Sequence, residues 1–507
     1  MSRIDSRPQA VASARQAPAK LRTYHLVGLL IAAHTPLAAL WAVIPGAFVY
    51  GQVVATPLMF LLAGLILLAF VLGYSGLGRR IRHRGGLYVQ VVQGLGRPVG
   101  LGVAALVFVA YVGVAVALYG FLGAMVSYLA GSVLHVTISV RVSIILSALA
   151  ILGLSLVPLK ILARALLVVV VEQIFSLLWF DLSAVHHPAG GHVSYAAVDP
   201  AWILSGSFGI GLVFAVTAFI GSEAGTTYSE DLERPERSIP VANYISYAVY
   251  TAVLVVSGWA VSVMAGGEEA PTQAAQLGGG FVTSLVFRIA GPGNGTLVAN
   301  LLIMNLIVGL LATGITLNSM TARLATGLAR DGVLPAAFGI REFGRLARPA
   351  VAAQPVIAGI AAFIATYSPS GGLAFWLVIG SELIVTGVLT LASASSALWF
   401  LRGEADEGGF FGWEGQVIAG FVSVVTTGTL FVYGVTHIRV VAPGSPPVAG
   451  WLVGVLIALV FGFGFVAALV LRSSRPDIYA AIGAGQALTP ELDPVPVHHH
   501  HHHRRGN

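Results

Sequence analysis

A single carboxylate stands between two glycines directly after an apolar run. Glu223 lies between Gly221 and Gly225, and the preceding residues 209–220 are apolar enough to enter a bilayer. An ionised carboxylate in hydrocarbon costs about 3 kcal/mol or more, so such a side chain faces protein or water. Glycines weaken a helix by roughly 1 kcal/mol each relative to alanine, and a helix broken at membrane depth is tolerated only where it lines a cavity. The pattern predicts an interrupted helix beside a binding site.

A second interruption is predicted near the start of the chain. Pro36 lies inside the apolar run 24–50, in the sequence Ala33-His34-Thr35-Pro36-Leu37. Proline cannot donate a backbone hydrogen bond and clashes with the preceding turn, so we expect a break or kink near 33–35. The first and sixth apolar stretches are thus both interrupted. Paired interruptions in corresponding halves are typical of an inverted-repeat transporter with its binding site near the midplane.

The elements that would position these residues are membrane spans. The chain has 507 residues, of which 57% are hydrophobic and 9% are charged, whereas soluble proteins carry about 25% charged residues. Twelve apolar stretches are long enough to cross a bilayer, at about 20 residues each. They lie near 24–50, 57–76, 98–129, 143–158, 161–181, 206–229, 241–264, 295–322, 351–367, 372–400, 417–434 and 448–471.

The basic residues predict the orientation of the spans. Arginines and lysines concentrate in the loops after the even-numbered spans, as in the loop 79–84 and around 341–348. Because basic loops stay in the cytoplasm, we expect a cytoplasmic tail 1–23, a membrane domain 24–475 and a cytoplasmic tail 476–507 in the cell membrane. The histidine run 498–503 has the form of an affinity tag and is left out of the fold.

The same composition excludes several classes of protein. The net charge of +6 comes from membrane-flanking loops, so we expect no nucleic-acid partner. Zero cysteines exclude a disulfide-linked partner subunit, thiolate metal sites and iron–sulfur clusters. The histidines at 186, 187 and 192 match no metal-site spacing, and no cofactor or nucleotide motif occurs. We therefore expect neither a metal nor a cofactor.

Two more carboxylates fall within predicted spans. Glu172 lies 12 residues beyond Lys160, roughly 18 Å at 1.5 Å per residue, which is near the midplane. Glu382 has a similar depth in the tenth span. Each of these carboxylates, like Glu223, could take part in coupling and gating or could be structural, through salt bridges, packing or backbone bonds.

Four segments resemble the amino acid–polyamine–organocation (APC) permeases. Residues 230–240, EDLERPERSIP, resemble the family's E-E-x-x-x-P-x-R-x-I-P signature, and 219–223, FIGSE, resemble its F-x-G-x-E. Residues 323–335, RLATGLARDGVLP, are similar to its R-x-x-x-x-x-A-R-D-G-x-L-P segment after the eighth span. Residues 84–96, from RGGLY to GLG, are similar to the G-G-x-Y element before the third span.

The resemblance implies a fold and a binding mode. The fold would be an all-α membrane protein with a LeuT-like 5+5 inverted repeat, the repeats covering about 24–181 and 206–400, with peripheral helices within 417–471. The substrate carboxylate would meet free backbone N–H groups at the first break, and its ammonium would meet carbonyls of the sixth span. The chain departs from the family in having Ala33-His34-Thr35 where a G-x-G is usual.

The sequence therefore predicts a secondary active transporter of amino acids, working by alternating access as a proton symporter or an exchanger. We expect coupling to protons rather than sodium. The three carboxylates are predicted to be buried, and burial would raise their pKa values toward the physiological range. A transporter of polyamines or other amines is the alternative. An intramembrane enzyme would require paired His or Asp ligands on facing spans, and the scarcity of charges within the spans argues against it. The predicted substrate-binding residues are Ala33, His34, Thr35, Pro36, Leu37, Thr217, Phe219, Gly221 and Ser222; the predicted coupling or gating residues are Glu223, Glu172 and Glu382.

Overall fold

The computed structural model describes residues 20–339, 345–368, 372–402, 412–441, 448–484 and 486–487. The structure is 84% helical, as hydrocarbon requires, because a helix satisfies its own backbone hydrogen bonds. Arg341 and the histidine run lie outside these residues, as does most of the predicted N-terminal tail.

The described residues of the first half of the chain form eight α-helices and one short strand. Between α2 and α3 the backbone forms a π-helical turn, Ala39–Val43. The elements are α1 Thr23–Ala32, α2 Pro36–Ala38, α3 Ile44–Gly51, α4 Thr56–Gly78, β1 Ile81–Arg82, α5 Leu87–Leu95, α6 Arg97–Leu134, α7 Val140–Ser155 and α8 Leu159–His186.

In the second half, the first α-helix is α9, and the last described element is a strand that pairs antiparallel with β1. A 3₁₀ segment, Ser222–Asp231, lies between α9 and α10. The elements are α9 Phe208–Thr217, α10 Pro235–Met264, α11 Ala270–Leu277, α12 Phe281–Ala290, α13 Gly295–Arg330, α14 Arg348–Ala365, α15 Gly372–Leu401, α16 Gly412–Thr436, α17 Ile438–Val441, α18 Ala449–Ser474, α19 Pro476–Ala481 and β2 Gln486–Ala487.

Within the described residues, ten helical segments are long and apolar enough to cross a membrane. The chain is therefore an all-α, multi-pass membrane protein. Two of the twelve predicted spans are represented by shorter apolar helices: the fourth by Val140–Ser155 and the sixth by Phe208–Thr217. The sixth is short because its helix ends before the glycine-rich segment that the sequence singled out.

The interrupted segments lie at the centre of the bundle. Helix α1 packs against α8, α10 and the 3₁₀ segment, while α3 packs against α9. The first and sixth segments therefore run alongside each other in opposite directions, with their breaks at the same level. Helix α18 packs on α6 and is the least buried of the ten long helices, so it lies at the edge of the bundle.

Candidate functional site at the paired helix breaks

The predicted break in the first span is confirmed. Helix α1 ends at Ala32, and α2 begins at Pro36. Thr35 between them has a φ of +45°, a left-handed conformation that costs a non-glycine residue roughly 1–2 kcal/mol. Proline at the first position of α2 suits the new helix start, because the N–H that it lacks would have no intrahelical partner there.

The predicted break in the sixth span is also confirmed. Helix α9 ends at Thr217, and Gly221 has a φ of +108°, which side-chain-bearing residues rarely adopt. A Cβ at Gly221 would come within 3.1 Å of the Cβ of Ala33. Glycine is thus required here by the backbone conformation and by close contact with the other break.

His34 joins the two breaks. Its ring is buried, with Nδ1 2.9 Å from the Leu30 carbonyl and Nε2 3.0 Å from the Phe219 carbonyl. Both partners are acceptors, so both bonds form only when both ring nitrogens carry a proton, whereas a neutral imidazole has one N–H to donate. The bridge between the breaks is therefore sensitive to a proton on His34.

The break in the first span is also tied to α13. The Thr35 hydroxyl donates to the Gly309 carbonyl at 2.6 Å and contacts the hydroxyl of Thr313. Thr313 in turn donates to the carbonyl of Ala32 at 2.8 Å. Three segments therefore meet at the two breaks. Thr35 holds α13, which is the eighth predicted span, against the first span.

The amides at the first break are already hydrogen bonded. Those of Ala33, His34 and Thr35 bond to carbonyls of the preceding turn. The amide of Leu37 donates to Gln173 Oε1 at 3.1 Å. In this conformation, none of these four amides is free to bind a substrate carboxylate. This differs from the carboxylate-binding arrangement that the family resemblance implies.

Glu223 is held inside the second break. Its side chain is buried, its Oε2 accepts from the Gly221 amide at 2.6 Å, and its Oε1 accepts from the Tyr111 hydroxyl at 2.7 Å. The Tyr74 hydroxyl also donates to its backbone carbonyl. The carboxylate thus fixes the backbone of the sixth span to α6, and a change of its proton or partners acts directly on the break.

Glu382 and Glu172 occupy different environments. Glu382 on α15 is partly buried, and its carboxylate lies near Thr217, the last residue of α9, whose hydroxyl donates to the Phe214 carbonyl. It therefore lies next to the second break. Glu172 was expected to be buried, and this is wrong: its side chain is exposed and accepts from Ser176 and Asn305. Helical rise predicts depth in the membrane, but not which face of α8 points outward.

Three of the four segments that carry the family resemblance converge at one end of the bundle. Arg84 Nε lies 3.0 Å from Glu230 Oε2, and its NH2 lies 3.4 Å from Asp231 Oδ1. Arg323 and Arg330 contact the same pair of acids at 3.2 Å and 2.5 Å respectively. We call these five residues the charge cluster. Glu230 and Asp231 thus join three segments that are distant in sequence.

A second polar centre adjoins the charge cluster at Asp331. His83 Nε2 donates to Asp331 Oδ1 at 3.0 Å, while His83 Nδ1 accepts from the amide of Gly85. The hydroxyl of Tyr88 and the amide of Gly483 both donate to Asp331 Oδ2. Burial, reinforced by the Asp331 carboxylate, holds the pKa of Tyr88 well above its ordinary value, so this tyrosine remains a donor at physiological pH.

Several residues of the site were missed because their partners are distant in sequence. Tyr111 and Gln173 are ordinary span residues until the fold brings them to Glu223 and Leu37. Phe219 and Tyr250 are in edge-to-face contact, with 5.4 Å between their ring centroids. The sequence analysis selected Phe219 but not Tyr250. The only sequence signal was a polar or aromatic residue inside an apolar span.

The side chain of Ser222 lies outside the described residues, although its backbone begins the 3₁₀ segment.

Comparison with known proteins adds no assignment: no protein-family model matches the sequence, and no curated protein matches it.

Proposed function

We propose that this chain is a secondary active transporter of the APC type, with twelve spans, a LeuT-like pair of inverted repeats and cytoplasmic termini. It moves an amino acid across the cytoplasmic membrane by alternating access. The observation that carries the proposal is the meeting of two broken helices, joined by the bond between His34 and the Phe219 carbonyl. Broken helices are tolerated at membrane depth where they line a cavity, and paired breaks are typical of transporters.

The two halves of such a transporter would move about this junction. The bonds across the breaks are few and polar, and two of their participants, His34 and Glu223, can take up or release a proton. A proton or a substrate that favours one arrangement of these bonds shifts the population toward it. This supports proton coupling, with Glu223 and the adjacent Glu382 as the carboxylates involved. Glu172 is exposed, and it is connected to the first break through the side chains of Asn305 and Gln173.

The charge cluster would act as the closed cytoplasmic gate. Arg84, Arg323 and Arg330 come from two segments and face Glu230 and Asp231 at the end of the sixth. Most of these side chains are largely buried, so solvent screens their attraction less than at an open surface. Substrate release to the cytoplasm would require this cluster to separate.

A transporter of amines is the second candidate, favoured by one observation at the breaks. The amides of residues 33–35 and of Leu37 are occupied, whereas the Glu382 carboxylate reaches Thr217 at the edge of the second break. An acceptor-rich site suits an ammonium group without requiring a substrate carboxylate. A thermal-shift screen that includes both amines and amino acids distinguishes the two candidates.

The test is a thermal-shift screen of the purified chain against amino acids, their decarboxylated amines and polyamines, because a ligand of the folded state raises its apparent stability. We expect at least one amino acid to raise the melting temperature, and the Ala33→Leu variant to lose that shift while keeping its unliganded melting temperature. Stabilisation by the amines alone would favour the second candidate. If the ligand raised the melting temperature of Ala33→Leu as much as that of the parent, the substrate would not bind at the breaks.

A further inference from the structure

The chain beyond the last span folds back against the gate end of the bundle. Helix α19, residues 482–484 and strand β2 follow α18, and β2 pairs with β1 in the register Ile81 to Ala487 and Arg82 to Gln486. The described residues of this segment, 476–484 and 486–487, follow the peripheral span, and none of them lies at the breaks. Its contacts concern the regulation of the proposed gate, so the inference rests on the proposed function.

The segment is anchored at Gly483. The Gly483 amide donates to Asp331 Oδ2 at 2.9 Å, and its carbonyl accepts from Gln93 Nε2 at 3.1 Å. Gly483 has a φ of +65°, and a Cβ there would come within 2.8 Å of the Val92 side chain. The neighbouring Ile482 is fully buried. This is a fitted contact with polar and apolar parts, not a tail lying loosely on the surface.

A second attachment lies at the start of α6. The Arg97 guanidinium donates to the Ala480 carbonyl at 3.1 Å and lies over the ring of Tyr479, 5.4 Å from its centroid. Together with the strand pair and the Gly483 anchor, this attaches the segment to three parts of the fold: the 81–82 loop, the α5–α6 region and the end of α13.

Those attachments connect parts that the proposed gate must separate. Asp331 directly follows Arg330 of the charge cluster, and β1 lies two residues before Arg84. The segment thus bonds to the end of α13 and to the 81–84 loop at once. If either part moved away from the other, the bond from Gly483 to Asp331 or the strand pair would have to break.

We propose that this segment, residues 476–484 and 486–487, is a strap that holds the charge cluster closed and that its release permits opening to the cytoplasm. The strap is a restraint in addition to the ion pairs, because its anchoring bonds come from backbone atoms of a different segment. Its strength depends on the Asp331 carboxylate, which accepts from the strap as well as from His83 and Tyr88.

Cysteine labelling tests the strap, since the chain contains no cysteine. Ala224 is buried in the 3₁₀ segment, between the breaks and the charge cluster. In purified full-length Ala224→Cys, the rate of modification by a water-soluble methanethiosulfonate reports opening. Adding Gly483→Pro removes the N–H donor and forbids the observed φ. We expect labelling to accelerate about tenfold, as for the loss of one hydrogen bond to a charged group.

The matched control is Asp477→Asn on the same segment, whose exposed side chain pairs only locally, with Arg475. It should label at the rate of the Ala224→Cys parent. Ile482→Ala, which weakens packing without altering the backbone donor, should give a smaller acceleration than Gly483→Pro. Unchanged labelling in both strap variants would overturn the proposal, and so would aggregation of both, which would make the segment a part of the fold.

Labelling requires no substrate, so it separates the strap from the proposed function. A chain that shows the expected acceleration but neither binds nor transports any amino acid or amine would refute the transporter and leave the strap as a property of the fold. A chain that transports but labels at one rate in all variants would refute the strap alone.

Discussion

Gln173 is expected to hold the broken first span in place. Its side chain is fully buried on α8; its Oε1 accepts from the Leu37 amide at 3.1 Å, and its Nε2 donates to the carbonyl and the side-chain oxygen of Asn305 at 2.8 and 2.6 Å. Leu37 stands at the start of α2, where amides have no intrahelical partner. Gln173 therefore replaces the hydrogen bond that the break removes.

The substitution Gln173→Leu keeps the volume roughly constant and removes this acceptor. Leu37 is buried, so its amide would be left unpaired, which costs about 1–3 kcal/mol. Asn305 Nδ2 retains its bonds to Glu172 and Ser176. Asn305 Oδ1 loses the donor that Gln173 supplied, which moves the expected loss toward the upper end of this range. We expect the free energy of unfolding, measured by chemical denaturation in detergent micelles, to fall by about 1–3 kcal/mol.

Gln416→Leu is the matched control. Gln416 on α16 is also buried, but its side-chain oxygen has no hydrogen-bond partner among the described residues. Replacing it with leucine removes an unsatisfied acceptor, so stability should stay the same or rise. Equal losses of stability in the two variants would refute the reasoning, because the effect would then come from replacing any buried glutamine.

Three other predictions concern the breaks and the charge cluster. Gly221→Ala should lose about 1–2 kcal/mol or more of stability because of the positive φ, whereas Gly153→Ala, which has open space for its Cβ, should gain up to about 1 kcal/mol; denaturation of both checks the opposite signs. Glu223→Gln should bind substrate yet lose the pH dependence of uptake, and a parental pH profile would assign the proton to another group. Arg323→Met should lose about 1.5–3 kcal/mol, as for one hydrogen bond to a charged group, because Asp231 keeps only its longer contact with Arg84. Arg475→Met, at an exposed pair, should match the parent; similar stabilities for both would contradict the burial argument.

The breaks could be predicted from the sequence because their causes are local. Pro36 removes a donor wherever it occurs in a helix, and Gly221 permits a backbone that other residues resist. Composition alone indicated the membrane class. Both inferences depend on properties that a residue carries into any fold.

The contacts of the site could not be predicted in the same way. The pairing of Arg84 with Glu230 spans 146 positions, and that of Arg323 with Asp231 spans 92. Such partners are set by which helices pack together, which hydrophobicity does not encode when nearly every span is apolar on all sides. The misplaced burial of Glu172 has the same origin.

Uptake into proteoliposomes tests the central claim most directly. The ligand found in the binding screen would be supplied in labelled form, with an inward proton gradient, to the parent and to Ala33→Leu. We predict saturable uptake by the parent that falls when the proton gradient is collapsed, and none above empty liposomes for the variant. Uptake driven equally by sodium at uniform pH would contradict proton coupling; uptake unaffected by Ala33→Leu would contradict a substrate site at the paired breaks.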